Sequence, residues 1–403
     1  MKQQNNQLAI EWKEVALGEI CRIVSGSTPS TTNLEYWDGK INWVTPAELI
    51  DGNNWYYYET QRKISVKGLK SCSAELFPIG TVMLTSRAPI GKVAISGTEM
   101  CSNQGFKNLI CDKNKVNPEY IYYWLRSKKE YLNSLGHGAT FKEISKKIVS
   151  KINIPLPFHK GHPDLETQKS IVSVLEKAEK LKTDGKRTIE LFDEYLKSVF
   201  NEMFVGKRFT LTKLGDLCSE ITDGSHRTPK LLNEGYSFLT VANLGDSDFD
   251  YTAVKRISKA EYLDLVKNGC RPEKGDVLFS KDGTVGKVMR INKTEEIVVL
   301  SSIAILKPDT KLLDSIYLEY SLKSDDVLSQ AIKKKSGSAI RRIILRQLKK
   351  VNIYAPPLNI QQKFASIVEH VEKLKEIQKR ENERLNQIFD SLMQKAFRGD
   401  LIK

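Results

Sequence analysis

The chain has 403 residues, a formal net charge of +14 and a sequence pI near 9.2, a balance that points to an anionic partner with nucleic acid as first candidate. No apolar run approaches the roughly 20 residues needed to span a bilayer, which argues against a helical membrane protein. Six cysteines lie scattered without a CxxC pair, and the opening MKQQNNQLAI has no apolar core of signal-peptide length, so free thiols in a reducing cytoplasm are expected.

In chain order, the first recognisable segment, LGEIC at 17–21, returns as LGDLC at 214–218. Short apolar runs between Gly, Pro, Asn and Asp follow in each half, as in Trp43–Ala47 and Phe238–Ala242, and predict strands. GTVMLTSRAPIGK at 80–92 answers GDVLFSKDGTVGK at 275–287. These predict buried strands at Val82–Leu84 and Val277–Phe279. Turns at Gly91 and Gly286 then lead to strands at Val93–Ile95 and Val288–Ile291. YIYYWLRS at 120–127 matches YLEYSLKS at 317–324, with helical spacing over Tyr120–Arg126 and Ile316–Leu322. GATFKEISKKIVSKINI at 138–154 runs without a gap against GSAIRRIILRQLKKVNI at 337–353. LFDEYLKSVF at 191–200 matches IFDSLMQKAF at 388–397. Five segments in one order make a tandem duplication, with a period too long for a solenoid.

Past the prolines 155/157 and 356/357, each half turns helical. Over Leu165–Met203 apolar residues recur at Ile171, Val174, Ala178 and Leu181, then Phe192, Tyr195 and Val199. The last segment repeats the seam with Phe364, Ile367, Val371 and Leu374, then Leu385, Ile388 and Leu392. Each helix would be roughly 55 Å long. Both seams turn polar at 182–188 and 375–384, and the second holds four more residues before its Phe-Asp pair, a stutter that shifts the seam. Gly185 could break the first helix or admit a close neighbour. The economical arrangement is antiparallel packing of the two helices, which gives pseudo-two-fold symmetry; two unrelated helices, each capping its own domain, is the other arrangement.

Duplicated variable domains, each closed by a G-x-[VM]-[LM] strand, a Gly-Lys turn and a proline-marked start of a long helix, resemble the specificity subunit of type I restriction–modification systems. The resemblance covers essentially the whole chain. It implies an α+β fold with a first target-recognition domain at 1–158, a central spacer helix at 159–206, a second recognition domain at 207–357 and a C-terminal spacer helix at 358–403. It implies binding of double-stranded DNA at a bipartite site, one half per domain, together with two adenine methyltransferase (modification) subunits and, through them, restriction subunits. S-adenosylmethionine, and ATP and Mg for restriction, would belong to those subunits, with no cofactor or metal in this chain.

Independently, two domains on a two-fold axis suit half-sites about one helical turn, roughly 34 Å, apart. Residues 22–79 and 219–274 barely match, and all five tryptophans lie in the first half, so the two half-sites should differ. Base-reading candidates therefore sit in the divergent segments: Ser27, Thr28, Asn42, Thr45 and the patch Trp55–Tyr58, then Ser225, His226, Arg227 and Asn243. Arg87 and Lys92, with Lys281 and Lys287 in the matching turn, could offer cations to phosphate, or be ordinary turn residues. Lys142 and Lys146, with Arg341, Arg342 and Arg346, could face phosphate, solvent or a partner subunit.

Catalytic signatures are missing. There is no GxxxxGK[ST] loop, and Ala355-Pro356-Pro357-Leu358 lacks the polar and aromatic members of an adenine methyltransferase motif. His159 and His162 have no nearby ligand set, Glu11-Trp12-Lys13 is an isolated ExK, and the five histidines show no organised partners. A non-catalytic subunit is expected. The competing readings are a duplicated-domain adaptor that binds proteins without DNA specificity, and a diverged nuclease or stand-alone methyltransferase.

Overall fold

The computed structural model describes residues 10–49, 55–87, 89–138, 142–245, 248–333 and 342–402. It forms two compact units, 1–186 with 381–403, and 187–380. Each unit thus takes one part of each long helix.

In the first unit the main sheet runs in the order Cys21–Ser25, Phe106–Cys111, Val82–Thr85, Val93–Ser96, Tyr56–Tyr57. All neighbours are antiparallel except the last, where Tyr56 pairs in parallel with Ile95. Alternate residues of a strand point to opposite faces, and here both faces are covered. Val82 and Leu84 enter a core with Tyr120, Tyr123 and Leu125 of the helix Pro118–Ser127. Met83 enters a second core with Val44, Phe77 and Met100. Burial on both faces explains the continuous apolar run Val82-Met83-Leu84. A smaller sheet, Lys63–Ile64, Trp37–Val44 and Met100–Ser102, carries the helix Val66–Lys70.

The second unit repeats this plan. Its main sheet is Cys218–Asp223, Ile303–Pro308, Val277–Ser280, Val288–Arg290. Val277 and Phe279 join Tyr317 and Phe364 in one core, and Leu278 joins Leu239 and Val299 in another. The smaller sheet has four strands, Leu231–Leu232, Lys255–Ile257, Tyr236–Leu239 and Ile297–Val299. The helix predicted over Ile316–Leu322 spans Ser315–Lys323. The predicted strands at Trp43–Ala47 and Phe238–Ala242 stop early, at Val44 and Leu239. Thr45 turns the chain because its N–H and hydroxyl both donate to Glu48, and Thr240 does the same with Asn243.

The long helices span Leu165–Phe204 and Leu358–Ala396. They pack together and antiparallel: in the second unit Lys375 meets Asp193, while Phe364 lies 5.5 Å from Phe204. Gly185 is buried and the helix continues through it. In the first unit Ile171, Leu175 and Ala178 share a core with Phe389, Leu392 and Met393, and in the second Phe192, Val199 and Leu196 share one with Phe364, Ile367 and Val371. Val174 and Leu385 are half-buried. Four of the seam residues face outward: Leu181, Tyr195, Leu374 and Ile388 are 55%, 50%, 38% and 53% exposed. Each helix packs against its domain as well as against its partner, so the buried stripe is rotated away from a pure helix–helix seam.

Candidate nucleic-acid interface

Five chain segments meet at one end of the main sheet in each unit, held by the same four backbone bonds. In the first, Ser27 N donates to Ser102 O (2.9 Å), Asn103 N to Val44 O (3.1 Å), Ser86 N to Gly105 O (2.7 Å) and Ile144 N to Ser86 O (2.9 Å). In the second, Ser225 N donates to Val299 O (2.8 Å), Leu300 N to Leu239 O (2.9 Å), Lys281 N to Ser302 O (2.9 Å) and Ile343 N to Lys281 O (2.8 Å). The glycine that opens the first loop is required by this approach: a Cβ would fall 2.0 Å from Asn103 O at Gly26 and 1.9 Å from Val299 O at Gly224.

Most candidates from the sequence gather here, yet several are engaged in holding the loops. Lys92 Nζ donates to Leu49 O, and Lys287 Nζ donates to Leu244 O (2.8 Å). Lys281 is not a turn lysine presented to phosphate; it is 2% exposed, with its ammonium 2.9 Å from Asp223 Oδ2. Ser225 and Asn243 are buried, Ser225 Oγ donating to Arg227 O and Asn243 Nδ2 to Asp250 O. Arg227 is exposed but lies 2.7 Å from Asp264 and 2.8 Å from Glu261, so two carboxylates already engage its guanidinium. Trp43 Nε1 donates to Ser27 O (2.9 Å), and Thr28 Oγ1 donates to the exposed Gln104. His226 is 68% exposed, with Nε2 3.1 Å from Asp223 Oδ1.

Asn42 lies outside this cluster and is bonded to Tyr58 O, Thr98 and Thr60. Trp55 is packed away, its Nε1 donating to Glu179 (2.9 Å) and its ring 5.0 Å from Tyr123, whereas Tyr58 is exposed. Lys142, Lys146, Arg342 and Arg346 are exposed, and Arg341 lies outside the described residues.

The charges at the cluster have been exchanged between the units. Arg87 bridges Glu143 through the backbone in the first, and Asp282 bridges Arg342 at the matching place in the second. Each unit buries one lysine here from a different strand position. Lys107 Nζ donates to Ser86 Oγ (3.2 Å) and Glu143 (3.1 Å); in the second unit the position matching Ser86 is Lys281 itself. Among the described residues no three His, Cys, Asp or Glu side chains are grouped to hold a metal, and no helix is long and apolar enough to cross a membrane. Lys13 of the isolated ExK pairs with Glu11 on an edge strand (3.0 Å).

Sequence signals missed two matched anchors. Gln168 and Gln361, both fully buried, each accept a backbone N–H, from Asn117 and Asp314 (2.9 Å in both), and donate to Lys115 O (3.1 Å) and Leu312 O (3.0 Å). Their recurrence at matching places in the two helices was the available signal.

Residues 9–191 and 207–387 each match the type I restriction modification DNA specificity domain. The MjaIX type I restriction enzyme specificity subunit of Methanocaldococcus jannaschii is 29% identical over 425 residues, covering 97% of this chain and 94% of that protein. In fold, the chain is similar to one from a study of complex assembly and conformational transition in the type I R-M system, at a TM-score of 0.64 and 20% identity over 97% of this chain and 98% of that one. It is also similar to the S subunit of a type I restriction-modification system from M. genitalium, at a TM-score of 0.53 and 16% identity over 98% of each. The chain therefore belongs to the type I restriction–modification specificity family and carries two copies of its DNA specificity domain.

Proposed function

We propose that this chain is the DNA-recognition subunit of a type I restriction–modification complex, each unit binding one half-site of a bipartite, asymmetric sequence. The observation that carries the reading is the pair of loop clusters: the same backbone bonds hold Thr28, bonded to Gln104, in one unit and His226, bonded to the strand residue Asp223, in the other. A shared frame with unlike polar groups suits two different half-sites. Exposed Lys142, Lys146, Arg342 and Arg346 flank the clusters in sequence and would contact phosphate, which orients a domain without reading bases.

The helix pair supports docking of two copies of one partner, the adenine methyltransferase subunits, with restriction subunits joining through them. In the second unit Leu191, Tyr195, Ile367 and Leu374 line an apolar groove of about 720 Å³. Leu181 and Ile388 expose the matching strip in the first. The chain itself supplies no catalytic residue in this reading. S-adenosylmethionine, and ATP and Mg for restriction, are held by the partners. The competing adaptor reading has no DNA term.

The test is co-purification with a modification subunit, followed by DNA retention as salt is raised. A stoichiometric complex whose affinity falls by roughly 10³ or more between 50 and 200 mM salt is expected for six or more phosphate contacts. Salt-independent retention, or a chain that assembles with no such subunit, overturns the reading.

A further inference from the structure

Thr28 and His226 occupy the same place in the two units, the second residue after the glycine that passes against the neighbouring strand. Each is held by a neighbour, Thr28 by Gln104 and His226 by Asp223. At His226 the support runs two steps deep. The loop under it is fixed by Ser225, 3% exposed, whose N–H donates to Val299 O and whose C=O accepts from Ser301 N. The ring is then held by Asp223, and Asp223 by the ammonium of Lys281. A buried ion pair gives little stability over an apolar pair of the same volume. Here its geometric effect is to fix the orientation of an exposed imidazole, as a preorganised contact requires.

We propose that His226 reads a base in the half-site bound by the second unit, with Asp223 and Lys281 as its positioning residues; this rests on the DNA-recognition reading above. A carboxylate only accepts, so the shared proton sits on His226 Nε2. Nδ1 is then the free atom and an acceptor while the ring is neutral. Its complement in the major groove is an exocyclic amino group, on adenine or cytosine. Arg227, the residue next to it, is paired with Glu261 and Asp264, so its guanidinium is already engaged, whereas the His226 ring is held outward by Asp223. Thr28 takes the corresponding position in the first unit.

The test selects DNA from a pool randomised at both half-sites, using the assembled complex. With His226→Ala, discrimination should fall about tenfold or more at a single adenine- or cytosine-bearing position of one half-site. The other half-site should be unchanged. Thr28→Ala should broaden one position in the other half-site. Positioning is tested with two paired variants that remove the buried charge: Asp223→Asn with Lys281→Met keeps an acceptor for Nε2 and should keep the preference, while Asp223→Leu with Lys281→Met should broaden the same position as His226→Ala. An unchanged selected sequence for His226→Ala overturns the assignment while leaving DNA recognition standing. An unchanged sequence for the Leu/Met pair overturns the positioning role. If the unaltered complex selects no split sequence, the DNA-recognition reading fails and the proposal falls with it.

Discussion

Arg126 Nη1 lies 2.6 Å from Glu179 Oε1, and the other oxygen of that carboxylate accepts from Trp55 Nε1 (2.9 Å) and the Tyr123 hydroxyl (3.0 Å). One largely buried glutamate on the first long helix therefore ties three elements of the first unit together. Glu179→Ala leaves a largely buried guanidinium without its counter-charge and should cost about 3 kcal/mol. Glu179→Gln retains an acceptor for Trp55 and Tyr123 and should cost less. Equilibrium urea unfolding of the two variants measures the difference. The matching Glu372 binds Arg290 at 3.2 Å with a side chain 41% exposed, so Glu372→Ala should cost only about 1 kcal/mol.

Gln168→Leu and Gln361→Leu each remove a buried amide that satisfies backbone groups of another element. Each should cost about 2 kcal/mol, since those groups stay buried without partners. Thermal unfolding should show a similar loss for both. A near-zero change at either would contradict the anchoring role.

Asp164 caps the first long helix, its carboxylate accepting from Glu166 N, Thr167 N and the Thr167 hydroxyl. Burial pushes its pKa up, but the bonds from Thr167 and Glu166 outweigh this and hold the carboxyl below its ordinary value. A depressed folded value contributes stability above the unfolded pKa, about 3.9, and loses it as pH falls through the folded value. Asp164→Ala should cost about 1 kcal/mol at pH 7, and the part due to the charge should vanish in acid. Unfolding at pH 7 and at pH 2.5 gives both numbers. The second helix has Pro357 at the matching place and no such acid-sensitive cap.

Tyr195→Glu with Leu374→Glu places charge on two exposed apolar residues of the second groove. The fold should lose no more than about 0.5 kcal/mol per site. Affinity for the modification subunit should drop at least tenfold, measured by co-purification or titration. Unchanged affinity would remove the groove from the docking surface.

The duplication, the buried strands at Val82 and Val277 and both long helices were legible because each rests on local periodicity, confirmed by a second copy. The edge strands Tyr56–Tyr57 and Leu231–Leu232 were not, because two residues carry no period. Lys281 reads as a turn lysine in sequence; its burial depends on Asp223, which only the sheet brings near. Arg227 reads as a base-contacting candidate until Glu261 and Asp264 are placed beside it. Leu181 and Ile388 fall on the apolar stripe by spacing yet are exposed, because helical spacing identifies a stripe without saying which neighbour covers it.

The most direct measurement is sequencing of adenine methylation in cells carrying this chain with a modification subunit, against cells carrying that subunit alone. The expected result is a new split, asymmetric sequence, methylated on both strands and present only with this chain. An assembled complex that yields no chain-dependent sequence would contradict it.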